Sequence, residues 1–211
     1  MTRIKLCGLQ RPEEILMANE LKVDAVGFVF YEKSKRFLSM EQAKELKRSL
    51  SSKITAIGVF VNAELSEIEE LLSLEIIDAI QLHGREDDSY ISSLRNITDL
   101  PILKAVQVGG KKDIEKAKEY DADYLLLDAG MGDGKTFDWK ILQDMKDMNT
   151  PYFLAGGLNE KNVKEAIKHF CPFGVDVSSG IETDGKKDFK KMKEFVQAVR
   201  SVKDSEVAHG E

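Results

Sequence analysis

Two side chains able to move protons stand at the ends of strand-like runs. Cys7 closes "RIKLC" and is followed at once by a glycine, in "KLCG" (5–8). Asp128 closes "DYLLLD" and precedes the glycine-rich "AGMGDGK". A thiol in that place is either a small buried hydrophobe or, with its pKa of about 8.5 tuned, a base or nucleophile. A carboxylate at a strand tip either caps a turn or serves as acid, base or ligand. Arg36, in "YEKSKRF", is either surface charge or a fork that grips a carboxylate through two parallel hydrogen bonds. His83 could be a ligand, and we favour a satisfied residue at a cavity mouth. Asp176 would be costly to bury unpaired, which suits it to that same mouth as a binding residue. His169, His209 and Cys171 read as structural or incidental.

Two glycine-bearing turns add a binding element, "AGGL" (155–158) and "SSG" (178–180). Either the glycines only make tight turns, or Gly156, Gly157, Ser179 and Gly180 present backbone N–H groups to an anion. In an eight-stranded barrel the loops after strands 7 and 8 frequently form a phosphate site.

The elements that must position these residues alternate from end to end. Strands are expected at 3–7, 25–30, 54–61, 78–83, 102–106, 123–128, 151–155 and 174–178. Helical patterns lie between them. Pro12 suits a first helical turn, with the acids of "RPEE" at its positive end. Leu65, Ile68 and Leu72 repeat at helical spacing, as do Phe189, Met192, Val196 and Val199, and Asn159 is the expected N-cap for the helix carrying Val163 and Ile167. Eight βα units with no antiparallel signal fit a (β/α)8 barrel or a doubly wound sheet.

Strand alternation favours the barrel. Ile4 and Leu6 oppose Lys5 and Cys7; Ile80 and Leu82 oppose Gln81 and His83; Val175 and Val177 oppose Asp176 and Ser178. One face is apolar and would meet helices, while the other gathers polar groups toward the C-terminal strand ends, where barrels keep their active sites.

Composition sets the class. The 211 residues, 42% hydrophobic and 32% charged, suffice for a single-domain barrel over 1–203 with a polar tail at 204–211. A net charge of −6 argues against nucleic acid as a partner. The lysines at 186, 187, 190, 191 and 193 read as a solvated helix face. "MTRIKLCG" has no apolar signal core, and the apolar runs fall far short of the roughly 20 residues a membrane helix needs. Two cysteines and three histidines show no metal-ligand spacing. The expected setting is the cytoplasm, with both thiols reduced. The residues alone therefore suggest a cofactor-free barrel for a small phosphorylated substrate, with a thiol on strand 1 and a carboxylate on strand 6 doing acid–base work.

Motifs spread in order along the chain resemble those of the phosphoribosylanthranilate isomerase family of tryptophan biosynthesis. They are "KLCG" (5–8), "AVGFVFYEKSKR" (25–36), "GVFVN" (58–62), "QLHG" (81–84), "LLLD" (125–128), "GKTFDW" (134–139), "GGLN" (156–159) and "VDVSSGIE" (175–182), with "GKKD" (185–188) opening the last helix. The resemblance implies a (β/α)8 barrel with no metal and no organic cofactor that carries out an Amadori rearrangement; the sequence leaves open whether it works as a monomer or homodimer. The resemblance also implies that Asp128 is the general acid and Cys7 the general base. It further implies that Arg36 holds the anthranilate carboxylate and the backbone near Gly156, Gly157, Ser179 and Gly180 the phosphate. Opening a sugar ring needs a proton donor, so Asp128 would need a raised pKa, by burial or a like charge. The chain departs from the family pattern after Asp128, at "AGMGDGKTF", and at Asp184, where a proline is common.

Three other readings remain in view. The histidine-pathway isomerase performs the same rearrangement on another aminosugar phosphate, but resembles a doubled half-barrel and has aspartate in place of Cys7. A non-catalytic phosphosugar-binding barrel would need neither Cys7 nor Asp128. A redox sensor would pair Cys7 with Cys171, on or beside neighbouring strands of a closed barrel.

Overall fold

Short runs rich in Val, Ile, Leu and Phe pair side by side and close on themselves. The computed structural model describes residues 1–128 and 148–202. Its strands are β1 (Arg3–Cys7), β2 (Ala25–Val29), β3 (Thr55–Phe60), β4 (Ala79–Leu82), β5 (Ile102–Gln107), β6 (Tyr124–Asp128), β7 (Tyr152–Ala155) and β8 (Gly174–Val177). All neighbours are parallel, in sequence order, and β8 pairs back onto β1. This is the expected (β/α)8 TIM barrel, with each strand within about a residue of its expected bounds.

Around the barrel lie α1 (Pro12–Leu21), α2 (Met40–Ser49), α3 (Leu65–Ser73), α4 (Asp88–Arg95), α5 (Lys111–Ala117), α6 (Val163–Phe170) and α7 (Phe189–Arg200). Pro12 opens α1, as expected. The apolar positions of α7, from Met192 to Val199, are buried against the barrel. The glycine-rich stretch after Asp128, "GKTFDW", the polar tail at 204–211 and His209 lie outside the described residues.

The expected alternation sets the two surfaces of the sheet. Lys5 pairs in register with Asp176 on one side and Ala25 on the other, and Cys7 with Gly27. The inward set continues through Ile57, Leu103, Leu126 and Phe153, which form an inner apolar cluster. Ile4, Leu6, Val175 and Val177 face the helices and belong to the main core.

Six expectations need correction. The helix-facing surface is not wholly apolar, because it holds Lys104. That lysine is 1% exposed and donates to Glu86 Oε2 at 2.8 Å and to the Gly84 carbonyl at 2.9 Å. An antiparallel element also exists. β9 (Glu182–Thr183) and β10 (Lys186–Lys187) form a hairpin, with Asp184 at φ 51° and Gly185 at φ 75°. Asp-Gly in left-handed conformation is the signal of a tight hairpin, and it was present in the sequence. Proline, fixed near φ −65°, could not occupy this Asp184 conformation. "GKKD" therefore makes the second hairpin strand, and only Asp188 caps α7, accepting from Lys191 N.

The solvated lysine face fails at Lys187, which is 5% exposed and turned inward. Asn162, not Asn159, is the N-cap of α6; Asn159 starts the turn before it, its side chain accepting from Lys161 N at 2.9 Å. Finally, Cys7 is buried at the C-terminal end of β1, whereas Cys171 is exposed at the end of α6, ahead of β8. Strands rise about 3.3 Å per residue, so the length of β1 separates the two thiols, and the redox pairing loses its geometric basis.

Glu86 also accepts from Asn62 N at 2.7 Å and Gly84 N at 2.9 Å, tying the β3 and β4 loops to Lys104. Glu86→Ala leaves a buried ammonium without its anion, so urea unfolding should show a loss of about 3–5 kcal/mol; a loss under about 1 kcal/mol would contradict this role. Burial alone would raise the Glu86 pKa, but the Lys104 and backbone hydrogen bonds outweigh it and hold the carboxyl below its ordinary 4.5. A depressed carboxylate contributes stability above its unfolded pKa, and that contribution fades as pH falls through the lower folded value.

Candidate active site

The C-terminal mouth of the barrel opens into a cavity of about 390 Å³. That size suits a small ligand. Its wall includes every side chain expected to do chemistry or bind: Cys7 from β1, Arg36 from the loop after β2, His83 after β4, Asp128 from β6 and Asp176 from β8. Gly156, Gly157, Ser179 and Gly180 line it too. Alternation along the parallel strands is what brings them together, since each strand's last inward residue lands on the same rim.

Cys7 occupies space that its neighbours leave open. A Cβ on Gly27 would lie 2.7 Å from Cys7 Sγ, and one on Gly8 only 2.3 Å from Arg36 Cδ. The glycine after the thiol thus lets the Arg36 stem pass, and the glycine beside it gives the sulfur room. Val29, Val59 and the half-buried Tyr31 pack around the thiol. Ser178 Oγ donates to the Cys7 carbonyl at 3.1 Å, fixing the end of β1 against β8.

A chain of ion pairs runs along this wall. Lys5, wholly buried, donates from Nζ to Asp176 Oδ1 at 2.9 Å. Lys187 Nζ, on β10, donates to Glu182 Oε1 at 2.6 Å and to Ser178 O and Oγ at 3.1 and 3.2 Å. Arg36 does form the expected two-pronged grip, but on Glu182: Nε to Oε1 at 2.7 Å and Nη2 to Oε2 at 2.8 Å. Sequence reasoning missed Glu182, Lys187 and the role of Lys5. For Lys5 a signal existed, because alternation already put it on the Cys7 face. For Glu182 and Lys187 the hairpin that aims them had gone unread.

Charge and burial oppose each other at the thiol. Burial pushes the Cys7 pKa up, the Lys5 and Lys187 cations pull it down, Asp176 pushes it up again, and the net is upward from the ordinary 9.0. Burial likewise pulls the Lys5 ammonium down, but Asp176 and Cys7 together draw it up further, so Lys5 keeps its charge.

The opposite wall holds the carboxylate. Asp128 Oδ2 lies 3.9 Å from His83 Nε2, both side chains being partly exposed. His83 Nδ1 is 2.7 Å from Nε2 of the buried Gln81. With the amide as donor, Nδ1 carries the lone pair and the imidazole Nε2–H faces Asp128. Burial lowers the His83 pKa, and Lys5 and Lys104 act the same way against the pull of Asp128, so the ring is neutral near pH 7. His83 is satisfied at the mouth, as favoured above.

The two glycine-bearing loops at the mouth pack closely. Gly156 and Gly157 take φ 94° and 66°, and a Cβ on Gly180 would stand 1.9 Å from the Leu158 carbonyl. The β7 and β8 loops therefore touch, the β8 loop turning through a 3-10 helix at Ser179–Ile181, and both loops line the cavity.

The family model for N-(5'-phosphoribosyl)anthranilate (PRA) isomerase matches residues 4–198. An N-(5'-phosphoribosyl)anthranilate isomerase of Thermoanaerobacter pseudethanolicus is 45% identical, over 96% of this chain and 100% of its own. The phosphoribosyl anthranilate isomerase of Thermotoga maritima is 38% identical over 96% of this chain and 100% of its own, with a TM-score of 0.88. A solved phosphoribosyl anthranilate isomerase in complex with reduced 1-(o-carboxyphenylamino)-1-deoxyribulose 5-phosphate has the same identity and coverage and a TM-score of 0.85.

The raised Cys7 pKa has a direct consequence in solution. At neutral pH, iodoacetamide should label the exposed Cys171 well before Cys7, by mass spectrometry of the intact protein, and Cys7 labelling should climb only on the alkaline side. Equal rates at the two thiols would contradict the dominance of burial at this site.

Proposed function

This chain belongs to the N-(5'-phosphoribosyl)anthranilate isomerase family, and from that premise we propose how its own residues act. It is an isomerase of tryptophan biosynthesis. Its substrate is N-(5-phosphoribosyl)anthranilate and its product 1-(2-carboxyphenylamino)-1-deoxyribulose 5-phosphate. The observation that carries the residue assignment is the pair Cys7 and Asp128 on opposite walls of one cavity.

Asp128 gives its proton to the furanose ring oxygen as the bond from C1′ to that oxygen breaks. The nitrogen lone pair forms the C1′=N bond, leaving an iminium. Cys7, as thiolate, removes the proton from C2′; those electrons form C1′=C2′ while the C=N pair returns to nitrogen. The C2′ hydroxyl then loses a proton and C1′ gains one, giving the ketone. Atoms and charge balance, so no redox partner is needed. Neutral His83, its Nε2–H toward Asp128, can orient the carboxyl without competing for the role of acid. The iminium acidifies C2′, so a thiolate is a competent base even though burial limits how much of it exists.

Binding falls to the rest of the rim. Arg36 keeps Nη1 outside its bonds to Glu182, and that donor edge takes the anthranilate carboxylate. Backbone N–H groups of Gly156, Gly157, Ser179 and Gly180 take the phosphate. Asp176 accepts from a sugar hydroxyl. The working unit is a single domain over 1–203, a monomer or homodimer in the cytoplasm.

Loss of anthranilate-type fluorescence follows the reaction. The native protein should turn over the substrate, and Cys7→Ser and Asp128→Asn should each lower kcat by roughly 10²-fold or more, the scale of a positioned acid or base. Fast turnover by Cys7→Ser would remove Cys7 as the base, and no turnover by the native protein would leave a phosphosugar-binding barrel. A second expectation concerns pH: in Asp128→Asn, where the acid no longer titrates, the residual kcat/KM should still be rising above neutral pH because the Cys7 pKa stands above its ordinary value, and a profile that is flat there would contradict thiolate chemistry.

A further inference from the structure

Lys5 plays no part in the steps above, yet it is wholly buried inside the barrel with its ammonium on Asp176 Oδ1. A buried ion pair of this kind can often be replaced by apolar residues without loss of stability, so packing alone gives no reason for it. Its placement does. Lys5 and Cys7 are two apart on β1 and face the same way, and Asp176 sits in register with Lys5 on β8.

The charges on this wall count three cations, Lys5, Lys187 and Arg36, against two carboxylates, Asp176 and Glu182. With Cys7 as a thiol one positive charge is left over; with Cys7 as a thiolate the wall is neutral. We propose that Lys5 is a positioning residue that holds the Cys7 thiolate by its charge, and that Asp176 competes for the same ammonium, so that the pair sets how readily the base forms. The proposal rests on the reading of Cys7 as the base and adds the device that governs it. Other groups facing the sulfur are Lys187 on β10, Arg36 and Tyr31 after β2, and the neutral Val29 and Val59; His83 and Asp128 stand across the cavity. Lys187 is already bound to Glu182, and Arg36 to the same carboxylate, which leaves Lys5 as the cation whose partner also bears on Cys7.

The test titrates the thiol without turnover. In a Cys171→Ser background, alkylation of Cys7 by iodoacetamide is followed against pH, alongside the pH profile of kcat/KM. Asp176→Asn frees Lys5 for the sulfur, so the midpoint should fall by about one pH unit, roughly tenfold faster labelling at neutral pH. Lys5→Met should move it up by a similar amount, about tenfold slower labelling. Should Lys5→Met not fold, the double variant Lys5→Met with Asp176→Asn carries no unpaired charge, and its midpoint should lie above that of Asp176→Asn alone. In an Asp128→Asn background, where the acid no longer titrates, the rising kcat/KM limb should follow in each case. Midpoints that move together in the two single variants, or that coincide in Asp176→Asn and the double variant, would overturn the proposal and leave Lys5 a structural residue. Full turnover by Cys7→Ser would instead end the reading of Cys7 as base, an outcome the alkylation midpoints do not touch.

Discussion

Closure of β1 on β8 is the constraint on which everything else here depends. The Lys5–Asp176 hydrogen bond joins positions 171 residues apart, and Ser178 Oγ on Cys7 O spans the same distance in sequence. Until the last strand arrives, Cys7 lacks the β8 loop and Lys187, and Lys5 lacks its partner Asp176. Because the strands are parallel and tilted round a ring, their C-terminal ends meet at one mouth. That geometry lets residues as distant as Cys7, Arg36, His83, Asp128 and Asp176 share one cavity without any direct contact between most of them. A buried lysine at the closing seam is expensive unless fully paired, so correct register between first and last strands is also the register that satisfies Lys5.

Glu182 gives the same wall a second point of control. It accepts two bonds from Arg36 and one from Lys187, and its carbonyl accepts from Lys191 Nζ. Burial opposes ionisation of that carboxyl, but the two cations outweigh it and hold its pKa below the ordinary value. The β9–β10 hairpin is what carries both Glu182 and Lys187 to the mouth, and Glu14 on α1 anchors it from below by accepting from Lys187 N. Arg36 is thereby held rigid, with a lost-freedom cost met in folding and not in binding, the usual advantage of a pre-formed site.

Strands and their inward faces were readable in the sequence because period-2 alternation is local. "RIKLC" and "GVDVS" announce which residues point inward, and they do so in the folded chain. Buried lysines were harder. Lys104 and Lys187 carry the same letter as the solvated Lys190, and only the partners Glu86 and Glu182, brought near by the barrel, tell them apart. The grip of Arg36 was legible as chemistry but not as a contact: its fork suits any carboxylate, and the one it meets is 146 positions away. The hairpin was missed for a different reason. Its two strands are two residues each, too short for alternation to show, and the Asp184–Gly185 pair was the sole local sign. Asn159 and Asn162 both suit a cap, and the extra turn between them is set by how the β7 loop packs on Gly180.

In the proposed mechanism Cys7 and Asp128, on two walls of the cavity, carry one proton transfer each, and an isotope effect reads that division directly. Substrate carrying deuterium at C2′ should be turned over by the native protein, Cys7→Ser and Asp128→Asn, with the isotope effect on kcat compared. If Cys7 removes the C2′ proton, its loss makes that step limiting and the isotope effect grows in Cys7→Ser; if Asp128 serves ring opening, the effect shrinks toward unity in Asp128→Asn. The same isotope effect in both variants, or the larger one in Asp128→Asn, would contradict the assignment of base and acid.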